Sequence, residues 1–174
     1  MDKLHALSVD GCRDVIAAAS EAFKAAISLF GRDPEWIGRE GGYFCMADGL
    51  NGGAPLIIVP IGRIRFDKAE KYLRLSREKG VRLASHFIDG HWTSWESRSE
   101  NETDEKFPGA IRLQGYTDTF SLSGLPSLGD EAVSLGTSAL FYGKRDIVGV
   151  QRVAERRSDN PYIRKLLSAL SFSI

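Results

Sequence analysis

The chain has almost no cysteine: Cys12 and Cys45 are the only two in 174 residues. Both sit in apolar patterns, so they read as reduced core residues and not as a disulfide framework. An excess of one charge is also missing. Lys+Arg and Asp+Glu each number 23, which leaves no global field to draw the chain to nucleic acid or to an acidic membrane. Long hydrophobic runs are absent, since the longest, residues 54–61, is far too short to span a bilayer. The opening Met1-Asp-Lys-Leu-His-Ala has neither the basic nor the apolar segment of a secretory leader. These absences together predict a soluble, cytoplasmic protein with no nucleic-acid and no membrane partner. The familiar catalytic signatures are lacking too: no G-x-S-x-G, no Walker loop, no H-E-x-x-H and no C-x-x-C. That does not exclude catalysis, because the members of a catalytic triad need not be near in sequence.

What is present is ordinary globular material. A hydrophobic fraction of 43% in 174 residues is enough for one domain with a real core. Residues 9–30 carry Cys12, Val15, Ile16, Ala19, Phe23, Ile27 and Phe30 at helical spacing. Ser8 is placed to cap that helix and Gly31 to end it. Residues 43–47 and 56–61 read as strands, joined through Asp48-Gly-Leu-Asn-Gly-Gly53, which is dense in residues that tolerate positive φ. A hairpin follows, with Pro60 marking an edge strand or a strand end.

The spacing predicts a second helix over residues 67–85, with a stripe of Phe66, Ala69, Leu73, Ser76, Gly80, Leu83 and Phe87. The small Ser76 and Gly80 in its middle suit a close approach by a sheet or another backbone. The charged residues of this segment, Lys79 and Arg82 among them, are expected on a solvated face with i,i+4 pairs. Strands are expected at 92–98, 110–113 and 117–122, with a polar, acidic, mobile loop at 99–106.

The stretch Phe120-Ser-Leu-Ser-Gly-Leu-Pro-Ser-Leu-Gly-Asp-Glu-Ala-Val133 reads as strand, turn and helix start. Ser127 with Asp130 resembles a capping box, and Asp130 and Glu131 suit the positive end of a helix ending near Gly143. Beyond it, Ile147, Val148, Val150, Val153 and Ala154 suit helix or strand alike. Asn160-Pro161 signals a final helix, with Ile163, Leu166, Leu167 and Leu170 as its stripe. That stripe is expected to bury itself on the chain's own domain or on a second copy. The element order predicts an α+β sandwich in which helices pack on a mainly antiparallel sheet.

Candidate site residues are few. The three histidines are His5, His86 and His91, and the last two bracket Phe-Ile-Asp-Gly. They read either as a pair able to reach one site, where a single imidazole can ligate haem iron, or as surface histidines beside a turn. Trp92 and Trp95 fall three apart in an expected strand and so face opposite sides.

Three stretches stand out in the first half: Val9-Asp-Gly-Cys-Arg-Asp-Val-Ile-Ala-Ala-Ala, Ala47-Asp48-Gly49 with Gly52-Gly53, and Ser76-Arg-Glu-Lys79-Gly-Val-Arg-Leu-Ala84. Gly109-Ala-Ile111, Ser121-Leu-Ser-Gly124 and Asp130-Glu-Ala132 complete the set. Together these stretches resemble the GlcG/HbpS-like family of haem-degrading or haem-binding domains. The family carries a Lys-Ala step where this chain has Lys79-Gly80, and an insertion at residues 112–119 separates Gly-Ala-Ile from Ser-Gly. The resemblance covers roughly residues 8–140 and implies a profilin-like domain, bounded here at 1–143, and a homo-oligomer; the helical extension at 144–174 lies outside it. It further implies a small-molecule or cofactor-binding function, with haem or a related tetrapyrrole the first candidate and Lys79 joining His86 and His91 at the cofactor. The alternatives are a non-catalytic assembly or regulatory subunit and, third, an enzyme with an unrecognised site.

Overall fold

A computed structural model describes residues 8–174, so His5 and the opening hexapeptide lie outside the described residues. The first helix, α1, spans Val9–Phe30, and the Ser8 hydroxyl accepts the Gly11 N–H at 3.0 Å. Its buried face is Val15, Ala18, Ala19, Ala22, Phe23, Ala26 and Phe30. Strands β1 (Gly41–Asp48) and β2 (Ala54–Gly62) form the expected antiparallel hairpin. Helix α2 covers Phe66–Ser85, β3 is Ala110–Ile111, β4 is Asp118–Ser123, and α3 is Ser127–Tyr142. The sheet order is β2-β1-β4-β3, and each described pairing is antiparallel. Pro60 lies in β2, an edge strand. The architecture is the α+β sandwich that the element order predicts.

The two faces of the sheet differ in chemistry. Phe44 and Met46 of β1 and Phe120 and Leu122 of β4 are buried in the core cluster shared with α1 and α3. Burial of each such side chain stabilises by roughly 1.5–3 kcal/mol, which makes this face the main source of stability. The opposite face is small and polar: Cys45, Ala47, Thr119 and Ser121, under α2. Gly80 lets α2 sit close, since a Cβ there would meet Ser121 Oγ at 3.2 Å and Thr119 Oγ1 at 3.3 Å. Polar groups of this interface are satisfied across it. Ser121 Oγ donates to the Ser76 carbonyl at 2.6 Å and Thr119 Oγ1 donates to the Gly80 carbonyl at 3.3 Å.

Several local expectations are overturned. Residues 92–98 form no strand: only Thr93 bridges to Ile111, and Ser94–Ser97 is a 3-10 turn. The reason is a capping box. Glu96 accepts the N–H groups of Trp92 and Thr93 at 2.6 and 3.0 Å, and Thr93 Oγ1 accepts that of Trp95. Both tryptophans instead stack on cations, Trp92 under Arg156 and Trp95 beside Arg98 and Arg157. The strand predicted at 110–113 shrinks to two residues. The stripe of α2 is rotated, because Phe66 is 99% exposed and Leu73 half-exposed, whereas Lys79 and Arg82 are buried. Two charges assigned to a solvated face therefore point inwards. The capping box at Ser127 is absent as well: Pro126 is the N-cap and makes no side-chain cap bond.

Residues 144–174 pack on their own domain. Helices α4 (Ile147–Arg156) and α5 (Ile163–Ala169) settle the helix-or-strand ambiguity and bury Val150, Val153, Ile163, Leu166 and Leu167. Helix α5 lies against α3 and α1. It starts later than Asn160-Pro161 suggests, because Asn160 caps a preceding turn by accepting the Tyr162 N–H at 3.0 Å. A buried pair fixes the junction: Arg157 Nε donates to Glu131 at 2.6 Å, and Asn160 Nδ2 donates to the Leu128 carbonyl at 2.9 Å.

Candidate functional site

A cavity of about 500 Å³ opens between α2 and the start of α3. Lys79 and Asp130 are both among the residues that line it. Lys79 comes from the second turn from the end of α2 and is 1% exposed, and Asp130 comes from the first turn of α3 and is 2% exposed. The Lys79 ammonium donates to Asp130 Oδ2 at 2.8 Å and to the Leu122 carbonyl at 2.9 Å. An ammonium has three donors, so one N–H has no hydrogen-bond acceptor among the described residues. Asp130 Oδ1 accepts the Leu125 N–H at 2.9 Å. Backbone closes over the pair at Gly109, where φ is +134° and a Cβ would lie 2.8 Å from Lys79 Nζ and 2.9 Å from Asp130 Cβ. Only glycine suits that conformation and that proximity.

The electrostatics of the cavity are one-sided. Arg39, Arg65, Lys68, Lys71 and Lys79 line it, against the single carboxylate of Asp130. Some of these charges are shared with neighbours: Arg65 and Lys68 with Asp67, and Lys71 with Glu105. Arg39 donates to the Tyr72 hydroxyl at 3.0 Å. A neutral chain has thus gathered a positive field in one concave place, and low-dielectric walls strengthen such a field. Apolar surface comes from Ile37, Leu75, Phe107 and Leu125. Burial pushes the Asp130 carboxyl up to about 6, against the opposing pull of Lys79, the Leu125 N–H and Arg39. Desolvation outweighs the pairing because the charged form has lost all contact with bulk water.

Of the residues expected from sequence, only Lys79 stands here. His86 and His91 lie together at the far end of α2, outside the cavity. Their rings stack at 4.7 Å between centroids with 21° between planes, and His86 Nδ1 lies 2.7 Å from Asp89 Oδ2. Ligands on opposite sides of a haem point nitrogens at the iron across the porphyrin, and stacked rings present their faces to each other instead. The cavity itself contributes no imidazole, thiolate or thioether, and its phenol, Tyr72, accepts from Arg39. This arrangement does not fit ligation of one haem by both histidines, and the cavity supplies no imidazole of its own. Among the described residues there is also no group of three His, Cys, Asp or Glu that suits a metal ion. Cys45 is buried under α2, and burial pushes its thiol up to about 11, which makes it a poor soft ligand.

Sequence reasoning missed Asp130 and Arg39 as site residues. Asp130 carries the signal of an ordinary helix-start acid, and Arg39 that of a loop cation. Nothing local distinguishes Lys79 from the five other cations of α2. A second depression of about 600 Å³, between α1 and the end of α5, offers only Glu21 and Lys24 as charged lining. Comparison with protein-family models, curated proteins and solved structures finds no match to this chain.

Proposed function

We propose that the protein binds a small anionic organic molecule in the cavity between α2 and α3. The observation that carries this reading is the gathering of four further cations around the buried Lys79–Asp130 pair in a chain of zero net charge. A cavity of about 500 Å³ is within the size range of small-molecule sites, and its mixed lining suits an apolar body with an anionic group. The resemblance to the GlcG/HbpS-like family supports a ligand site at the same place. Lys79, Gly109, Ser123, Gly124 and Asp130 come from four of the stretches that carry it, and all five line the cavity or press on its charged pair.

The test is calorimetric titration with phosphate, sulfate, mono- and dicarboxylates, nucleotides and haemin. At least one anion is expected to bind, and Arg39→Ala with Lys71→Ala is expected to weaken it at least tenfold without unfolding the protein. Absence of binding by every anion, or binding indifferent to that double substitution, overturns the reading. A Soret shift with haemin that survives Lys79→Met but not His86→Ala with His91→Ala favours the tetrapyrrole instead.

The assembly reading has its own observation: β2 is an edge strand of nine residues, and unprotected edges invite pairing with another chain. Sedimentation decides it, since a monomer at high concentration removes this reading and leaves the ligand site untouched.

A further inference from the structure

Resting on the anion-binding reading, we propose that the ligand is taken up together with one proton. In this exchange the ligand's oxyanion replaces Asp130 as the partner of Lys79, and Asp130 stays in the cavity as the neutral acid, donating a hydrogen bond to the ligand. The ligand class is therefore an organic acid or a phosphate or sulfate ester that accepts from both Lys79 and Asp130.

The geometry supports the exchange. Both side chains line the cavity and both are nearly inaccessible to bulk water. Lys79 already holds one N–H without an acceptor among the described residues, so an incoming oxyanion meets a donor before anything moves. Adding a second anion beside an ionised, buried Asp130 brings two negative charges together where solvent does not screen them. Protonation of Asp130 removes that repulsion, and it converts an acceptor-only group into a donor. The Leu125 N–H, held to Oδ1 at 2.9 Å, keeps the carboxyl in place while Oδ2 changes its partner. Burial has already brought Asp130 near neutrality in the resting protein, to about 6, so the proton is available at small cost near neutral pH.

Few other charges act on Asp130. Lys79 faces it from α2 and Arg39 from the segment before β1. Arg65, Lys68 and Lys71 line the same cavity from the N-terminal part of α2. From β4 comes the Leu122 carbonyl, which holds Lys79, and Gly109 presents only backbone. The next residue, Glu131, is tied to Arg157. No histidine and no second carboxylate lines the cavity, so the proton is assigned to Asp130.

The experiment titrates the intact protein with sulfate and with benzenesulfonate, whose charges stay fixed between about pH 5.5 and 8. Affinity is expected to fall by as much as about tenfold per pH unit above Asp130's own titration. Calorimetry in buffers of different ionisation heat is expected to show close to one proton taken up per anion near pH 7.5. Asp130→Asn, which keeps the shape and the Leu125 contact, is expected to bind at the higher pH as the parent does at the lower, with the slope gone. Affinity that is flat with pH, no proton uptake, or an undiminished slope in a folded Asp130→Asn protein overturns the exchange while leaving the anion site standing. Failure of both probes at every pH overturns the anion site and the exchange together.

Discussion

Replacing Lys79 with Met tests the reasoning behind the site at its centre. Methionine has nearly the length of lysine and fills the same space, so packing is kept while the ammonium is lost. Two hydrogen bonds go with it, to Leu122 and to Asp130, and the Asp130 carboxylate is left in a place that is 2% exposed. Removing one partner of a buried ion pair costs about 3–5 kcal/mol, a large share of the roughly 5–15 kcal/mol that holds a domain folded.

The cost depends on pH in a definite direction. Burial raises the folded-state value of Asp130 above its ordinary 3.8, to about 6. The native state therefore binds the proton more tightly than the unfolded chain does, and this group's contribution to stability falls as pH rises between those values. Without Lys79 the raised value climbs further. The Lys79→Met deficit is therefore full near pH 8 and shrinks as the solution is made more acidic and Asp130 becomes neutral. Urea unfolding followed by fluorescence of Trp36, Trp92 and Trp95 measures it at both ends. Adding Asp130→Asn is expected to return most of the loss, because a neutral amide replaces the stranded charge. A loss under about 1 kcal/mol, or the same loss at both pH values, would refute the account of the pair as buried and mutually dependent.

Gly80→Leu is expected to destabilise by about 1–3 kcal/mol, because Ser121 and Thr119 already stand 3.2–3.3 Å from where a Cβ would be. Thermal melting of that variant against a solvent-face control such as Glu70→Leu separates the packing effect from helix propensity. Leu166→Ala is expected to cost about 2–5 kcal/mol, since Leu166 is fully buried against the core. Truncation after Ser158 is expected to abolish cooperative unfolding, and a truncated chain that melts like the full one would disprove the packing role of α5. Arg157→Met strands Glu131, whose carboxyl is already raised by burial against the pull of Arg157. Its stability loss is therefore expected to diminish towards acid pH, as measured by denaturant titrations at two pH values.

The sequence by itself determined the elements whose evidence is local. Helix α1 begins and ends where Ser8, the apolar spacing and Gly31 place it. The hairpin follows from a short mixed run and a β-branched run on either side of a glycine-rich turn, and the closeness of α2 to the sheet follows from Ser76 and Gly80. These features rest on short-range stereochemistry and periodicity, which a single chain displays openly. Where two local readings competed, the three-dimensional partner decided. Residues 92–98 have strand-like composition, yet the Glu96 carboxylate captures their N–H groups and closes a turn. Lys79 and Arg82 look like members of a solvated charged face. They turn inwards because Asp130 and the Leu122 carbonyl wait for the first, and the carbonyls of Ser94, Ser97 and Phe107 for the second. Those acceptors lie up to 51 positions away in sequence. The candidate site was legible only as Lys79, because its other parts are common residue types made special by position. A positive cavity in a neutral chain is a property of arrangement. Composition fixes how many charges there are, and only the packing of α2 and α3 against β4 decides which of them share a space closed to water.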